Sequence, residues 1–200
     1  MEPIVKINKN KCLAELVGII LGDGSFFINK KVAELDIAFN LSEENYCNYV
    51  KRLLERTINS NVRKKYEKKS NCVHLRIGKR KITEKLLSVS LIVSGNKIKN
   101  QVTIPNWIWE NVEFLKYCIK GLIDTDGSLY RLRPHWPNLF QLSFKNNNKR
   151  LLEDVRKAIV ILGFKPSRVF GNRIVITRQD EIKKYFKVVG TNNLKYSPVV

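Results

Sequence analysis

At 200 residues the chain is long enough to bury a real core in one or two compact units, and its 44% hydrophobic and 10% aromatic content argues against disorder. Thirty-seven Lys and Arg against 18 Asp and Glu give a net charge of +19, which points to a polyanion, nucleic acid before an anionic membrane. No apolar run reaches about 18 residues and no signal peptide precedes Leu13, so neither a membrane span nor secretion is expected.

In chain order, the first ten residues are a basic lead-in. CLAELVGIILGDGSFF, Cys12 to Phe27, then spaces Leu13, Leu16, Val17 and Ile20 as one helical face and stops at Asp23-Gly24-Ser25. Gly24 is expected at C′ with positive φ. Phe26 to Ile28 and Ala33 to Phe39 read as a hairpin around Asn29-Lys30-Lys31, with Leu35, Ile37 and Phe39 on one face. Glu43 to Ile58 reads as a helix with Ser42 as N-cap and Tyr46, Val50, Leu53, Leu54 and Ile58 inward. A second hairpin, Val62 to Tyr66 and Val73 to Ile77, turns Arg63, Lys65, His74 and Arg76 outward. A short helix over Ile82 to Val89 closes this unit. Ser94 to Pro105 is polar and ends in proline, so the boundary is placed there, giving halves 1–104 and 105–200. Cys12, Cys47, Cys72 and Cys118 lack CxxC spacing, and with only His74 and His135 beside them they read as reduced core residues rather than a zinc site.

The layout then repeats. FLKYCIKGLIDTDGSLY, Phe114 to Tyr130, carries Leu115, Cys118, Ile119 and Leu122 at helical spacing and stops at Asp126-Gly127-Ser128. Leu129 to Arg133 and Leu139 to Phe144 form a hairpin with Phe140, Leu142 and Phe144 inward. Lys149 to Leu162 is a helix, Arg168 to Phe170 with Arg173 to Thr177 a second hairpin, and Ile182 to Phe186 a closing helix. The fold class that follows is α+β: an internal duplication giving two pseudosymmetric αββαββα halves.

Small residues four apart, Gly18 and Gly22 in one copy and Gly121 and Thr125 in the other, let two helices approach closely. Packed together, these helices bring Asp23 and Asp126 to adjoining C-terminal ends, where the carboxylates repel each other and the helix dipoles. A divalent cation removes the conflict, and hard oxygen ligands suit Mg²⁺, with Mn²⁺ as a substitute. A calcium loop opening at Asp124 fails, because its sixth and twelfth positions are Leu129 and His135. Arg63, Lys65, His74, Arg76, Arg131, Arg133, Arg168 and Arg173 are expected on the outward sheet faces, where a two-stranded ribbon fits the major groove.

Leu16-Val-Gly-Ile-Ile-Leu-Gly-Asp-Gly24 and Ile119-Lys-Gly-Leu-Ile-Asp-Thr-Asp-Gly127 resemble the two LAGLIDADG motifs of a single-chain homing endonuclease. The first copy carries Leu21 where the second has Asp124, so catalysis is assigned to Asp23 and Asp126 and no catalytic role to Asp124. The resemblance implies motif helices paired at the interface of the halves and sheets forming a DNA-binding saddle. It also implies metal-dependent, site-specific double-strand cleavage of a long asymmetric target, leaving short 3′ overhangs. The metal would be held by Asp23, Asp126 and the carbonyls of Gly22 and Thr125. A lysine is implied near each cleavage centre, for which Lys97 and Lys195 are chosen, with Lys99 close behind; Asn40 and Lys145 are further polar groups at the centre. The expected protein is an intracellular monomer acting where its double-stranded DNA lies, in cytoplasm, nucleoid or organelle matrix. The alternative is a non-cleaving nucleic-acid-binding protein of the same fold, either an RNA maturase on intron RNA or a DNA-binding regulator.

Overall fold

The computed structural model describes residues 7–90, 92, 94–132 and 139–197. Asn10 accepts the N–H of Leu13 at 2.9 Å and so starts α1 (Lys11–Gly22); Asn111 likewise caps α5 (Val112–Asp126) through the N–H of Glu113 at 2.8 Å. Leu13 to Leu21 are all buried, as a helix that is apolar nearly all round requires. The covering partner is α5. A β-carbon on Gly18 would stand 2.1 Å from the Cys118 carbonyl oxygen, and one on Gly121 would stand 2.3 Å from that of Glu15. Only glycine at both crossings lets the two backbones come this close.

Gly24 and Gly127 serve a different purpose from the one expected. Gly127 is extended, with φ −80°, and Gly24 is not among the positive-φ glycines. Each instead begins a strand folded back on its own helix. A β-carbon on Gly24 would meet the Ile20 Cα at 2.7 Å, and one on Gly127 the Ile123 carbonyl at 2.4 Å. The motif acids therefore sit at a helix-to-strand corner with no intervening loop.

The first half builds an antiparallel sheet ordered β1-β2-β4-β3, from β1 (Gly24–Ile28), β2 (Ala33–Asn40), β3 (Arg63–Glu67) and β4 (Cys72–Ile77). Leu35, Ile37, Phe39, Val73, Leu75 and Ile77 point to the core with Tyr46, Val50 and Leu54 of α2 (Glu44–Ile58), and α3 (Arg80–Ser90) adds Ile82 and Leu86. Ser42 is not the N-cap of α2: Asn40 instead accepts the Ser42 N–H at 2.9 Å and caps a single 3-10 turn ahead of the helix.

Residues 94–105 are polar in sequence but not free. Val102 and Ile104 are buried, and the Val102 carbonyl and Ile104 N–H bond Asn148 and Asp154 of the second half at 2.7 and 2.9 Å. After the short α4 (Asn106–Trp109) and α5 come β5 (Gly127–Arg131), β6 (Phe140–Lys145), α6 (Lys149–Ile161), β7 (Arg173–Ile176) and α7 (Gln179–Val188). This sheet has three strands, ordered β5-β6-β7. The expected strand at Arg168–Phe170 is reduced to a bridge between Phe170 and Arg173, with the Ser167 N–H on the Val175 carbonyl at 2.8 Å. The Ser167 hydroxyl accepts the Val175 N–H at 3.1 Å, a donor that a continued ladder would give to a backbone carbonyl. The second half is therefore αββαβα, in the same order as the first but one strand short.

Candidate active site and nucleic-acid interface

Both expected lysines arrive at the paired helix ends. Lys97 Nζ donates to the carbonyls of Ile20 at 3.1 Å and Leu21 at 2.9 Å, and also to that of Gly22. Lys195 Nζ donates to the Thr125 carbonyl at 2.9 Å and lies 3.8 Å from Glu43 Oε1. Each ammonium thus sits on the carbonyl preceding a motif acid, where the helix dipole is negative. Lys99 is exposed, its N–H anchored on Asn96 Oδ1 at 3.0 Å; of the two lysines in that segment, Lys97 reaches the centre.

Asp126 accepts from Asn146 Nδ2 at 2.8 Å, beside a cavity of about 300 Å³ lined by Gly22, Lys97, Asp126, Lys145 and Asn146. Burial and then the neighbouring Asp126 push the Asp23 carboxyl up to about 6, against the pull of Lys195 and Lys97. Burial raises Asp126 too, opposed by the Asn146 hydrogen bond and both lysines. The two ammonium groups are lowered from the usual lysine range, again by burial first; Asp126 and Asp23 oppose this at Lys97, and Glu43 most strongly at Lys195. Two acids and two bases, each pulled toward neutrality, share one centre. Such convergence is a mark of functional sites.

Several residues at or beside this centre were given no role by sequence. Asn146 lies in the loop after β6 and Glu43 at the end of the 3-10 turn before α2, and neither stretch carries a motif. Asp124, 1% exposed, accepts the Asn192 N–H at 2.9 Å and the Thr191 hydroxyl. Glu15, 2% exposed, receives Tyr49 OH at 2.8 Å and Asn192 Nδ2 at 2.9 Å, with Lys120 Nζ of α5 at 3.5 Å. The signal available for Glu15 was a single acid inside an otherwise apolar motif helix, which must find partners when buried.

On the outward face of the first sheet, Arg63 is paired with Arg76 and Lys65 with His74 across β3 and β4. Asp36, next to Arg76 on β2, holds both neighbours: His74 Nδ1 lies at 3.0 Å and Arg76 Nε at 3.2 Å. Glu67 reaches His74 Nε2 at 3.3 Å, so this face is a charge network rather than a row of free cations. Asn40 is exposed at its end, with its side-chain oxygen engaged as a cap. In the second sheet Lys145 and Arg173 are exposed and directly paired. Arg168 is exposed in the loop before β7. Arg131 departs from the expectation: it shares the parity of Leu129, opposes Phe140, and lies 5.8 Å over that ring, on the core-facing side of the sheet's end. Strand alternation, counted from Leu129, leads there. Arg133 and His135 lie outside the described residues. Phe27 and Tyr130, each three residues past its glycine, project exposed rings on the outward faces.

Residues 10–99 match the family model described as a LAGLIDADG-like domain. No curated protein matches the chain by sequence. Among solved structures, the homing endonuclease I-DmoI in complex with DNA and Mn superposes with a TM-score of 0.64 at 17% identity, over 90% of this chain and 96% of that one. The LAGLIDADG meganuclease I-AabMI bound to uncleaved DNA gives 0.60 at 12% identity, over 94% and 87% of the two chains. The homing endonuclease I-LtrWI bound to target DNA gives 0.55 at 11%, over 94% and 86%. These comparisons give no support to intron RNA as a partner. With its motif helices paired, its acids at their ends and its two antiparallel sheets, this chain is similar to the LAGLIDADG-like domain over residues 10–99 and shares the fold of the LAGLIDADG homing endonucleases on which it superposes.

Proposed function

We infer that the protein is a site-specific DNA endonuclease that cuts both strands of a long asymmetric target. The observation that carries this is the meeting of Asp23 and Asp126 at the ends of α1 and α5 with Lys97 and Lys195 upon them. The halves 1–104 and 105–200 are its two reading units. Their sheets form the saddle over the duplex, and their unlike faces imply unlike half-sites. One chain supplies both motif helices, so the working form is a monomer. Cuts at two closely placed phosphates across the minor groove leave short 3′ overhangs.

A divalent cation fits the donor set. The groups at hand are all oxygens: the Asp23 and Asp126 carboxylates and the Gly22 and Thr125 carbonyls. Both carbonyls already hold a positive charge, as ammonium. Hard donors of this kind suit Mg²⁺ or Mn²⁺. When bound, the cation would supply charge stabilisation for the attacking and leaving oxygens. The chain's own residues do the rest. Asn146 Nδ2 orients the Asp126 carboxylate. Lys97 Nζ and Lys195 Nζ, with proton affinities lowered by burial, are placed to hold a proton beside a phosphate oxygen or a water. Lys145 lines the cavity beside Asp126, where a phosphate would enter.

Selection of cleaved sites from a randomised duplex library with Mg²⁺ tests this reading. One long asymmetric consensus with short 3′ overhangs is expected. Enrichment of bound but uncut sequences would overturn it in favour of a non-cleaving binder.

A further inference from the structure

Asp124 has no place in the proposed chemistry, yet it is 1% exposed and accepts a hydrogen bond on each carboxylate oxygen. Its partners all belong to one short segment. The Thr191 hydroxyl donates to Oδ1, the Asn192 N–H donates to Oδ2 at 2.9 Å, and Asn193 Nδ2 donates to the Asp124 carbonyl at 2.9 Å. The segment then turns on itself. Thr191 Oγ1 accepts the Asn193 N–H at 3.0 Å, and Asn193 Oδ1 accepts the Lys195 N–H at 3.1 Å. Lys195 Nζ comes to rest on the Thr125 carbonyl, next in chain to Asp124. The segment also crosses to the first half, through Asn192 to Glu15 at 2.9 Å and Asn193 to Glu43 at 2.7 Å.

The first half does nothing comparable. The matching motif position is Leu21, buried in the core, and Lys97 is held by its own ammonium on three carbonyls of α1. Lys97 is thus held by its head on three carbonyls, Lys195 by its head on one and by the backbone beneath it. We propose that Asp124 is a positioning residue for Lys195: its buried carboxylate fixes residues 191–193 and so sets where that ammonium stands, for one of the two cleavage events. This rests on the endonuclease reading, with Lys195 serving one strand and Lys97 the other. A buried acid with two donors from consecutive residues is expensive to keep unless its partners need it, and here they lead straight to the lysine.

The test is cleavage of a selected target labelled on each strand separately. Lys195→Met and Lys97→Met first show which strand each lysine serves. Asp124→Leu, which copies the first half's Leu21, should slow the Lys195 strand by about 100-fold and leave the other near the parent rate, accumulating nicked DNA. Thr191→Val removes one donor to Asp124 without changing either motif acid or lysine and should slow the same strand, whereas Thr191→Ser keeps the hydroxyl and should restore it. Asp124→Leu combined with Lys195→Met should be no slower than Lys195→Met alone. Equal slowing of both strands, slowing of the Lys97 strand, or parent rates in Asp124→Leu and Thr191→Val would each overturn the proposal. Should Asp124→Leu fail to fold, Thr191→Val decides alone. If the parent protein cut neither strand, the endonuclease reading itself would fall, a result visible before any variant is made.

Discussion

Gly18→Ala adds one methyl group where the structure has no room for it. The new carbon would stand 2.1 Å from the Cys118 carbonyl oxygen and 3.1 Å from the Leu122 nitrogen, both backbone atoms of α5. Backbone cannot swing aside as a side chain can, so the helices must part by roughly an ångström to reach ordinary contact. Overpacking of this kind costs about 1–3 kcal/mol and sometimes more, whereas alanine's better helix propensity returns about 1 kcal/mol. A net loss of up to about 2 kcal/mol would lower Tm by up to about 4–8 °C in a chain of this size. Catalysis should suffer more than stability, because the same separation moves Asp23 away from Asp126, and displacements of about 1 Å can cost about 100-fold in rate. Gly78→Ala is the control: a β-carbon there meets nothing within 4 Å, and Tm should hold. Calorimetry and a cleavage assay on the two variants settle the matter. A Gly18→Ala protein as stable and active as the parent would refute the close helix crossing on which the site geometry depends.

Other perturbations follow from the same structure. Burial raises the Asp124 carboxyl from 3.8 to about 7, so the folded state holds its proton more tightly than the unfolded chain does. The associated stability is present below about pH 4 and lost as pH rises to about 7, at most about 4 kcal/mol for a group 1% exposed; in Asp124→Asn, denaturant titrations should show a flatter dependence over that window. An unchanged slope would contradict it. Asp36→Asn removes the acid that holds His74 and Arg76, and should tighten binding to unrelated DNA while blurring target preference in fluorescence anisotropy. Tightening on the target alone would count against that network. Arg131→Ala, on the core-facing side over Phe140, should leave target preference unchanged in a binding selection, whereas Arg63→Ala should alter it. Sedimentation should show a monomer free and on DNA, and an obligate dimer would contradict the two-half reading.

Much of this architecture was written locally. Helical spacing around two Asp-Gly-Ser stops, with a glycine five residues before each motif acid, is enough to pair α1 with α5 and bring Asp23 to Asp126. Alternation placed the inward strand residues for the same reason: period two is hard to disguise when one face is buried. What escaped depends on long-range encounters. Asp124 has no counterpart in the first copy, and its partners lie at Thr191 and Asn192, beyond three strands and two helices, where nothing in the local sequence announces them. Asp36 reads as an outward acid, but only the register of β2 against β4 shows that it disarms Arg76. The missing fourth strand of the second half belongs with these, since the Ser167 hydroxyl takes the Val175 N–H that a ladder would use.

The central claim, that Asp23 and Asp126 together run cleavage, is tested most directly by their asparagine variants on one selected target. Asn keeps the shape and a carbonyl oxygen but removes one charge from each carboxylate site and relieves the repulsion at the helix ends. Asp23→Asn and Asp126→Asn should melt no lower than the parent and bind the duplex at least as tightly in chelator. With Mg²⁺ both should cut at least about 100-fold more slowly, as losing a ligand to a catalytic cation implies. Cutting by either variant at the parent rate, on either strand, would contradict the account.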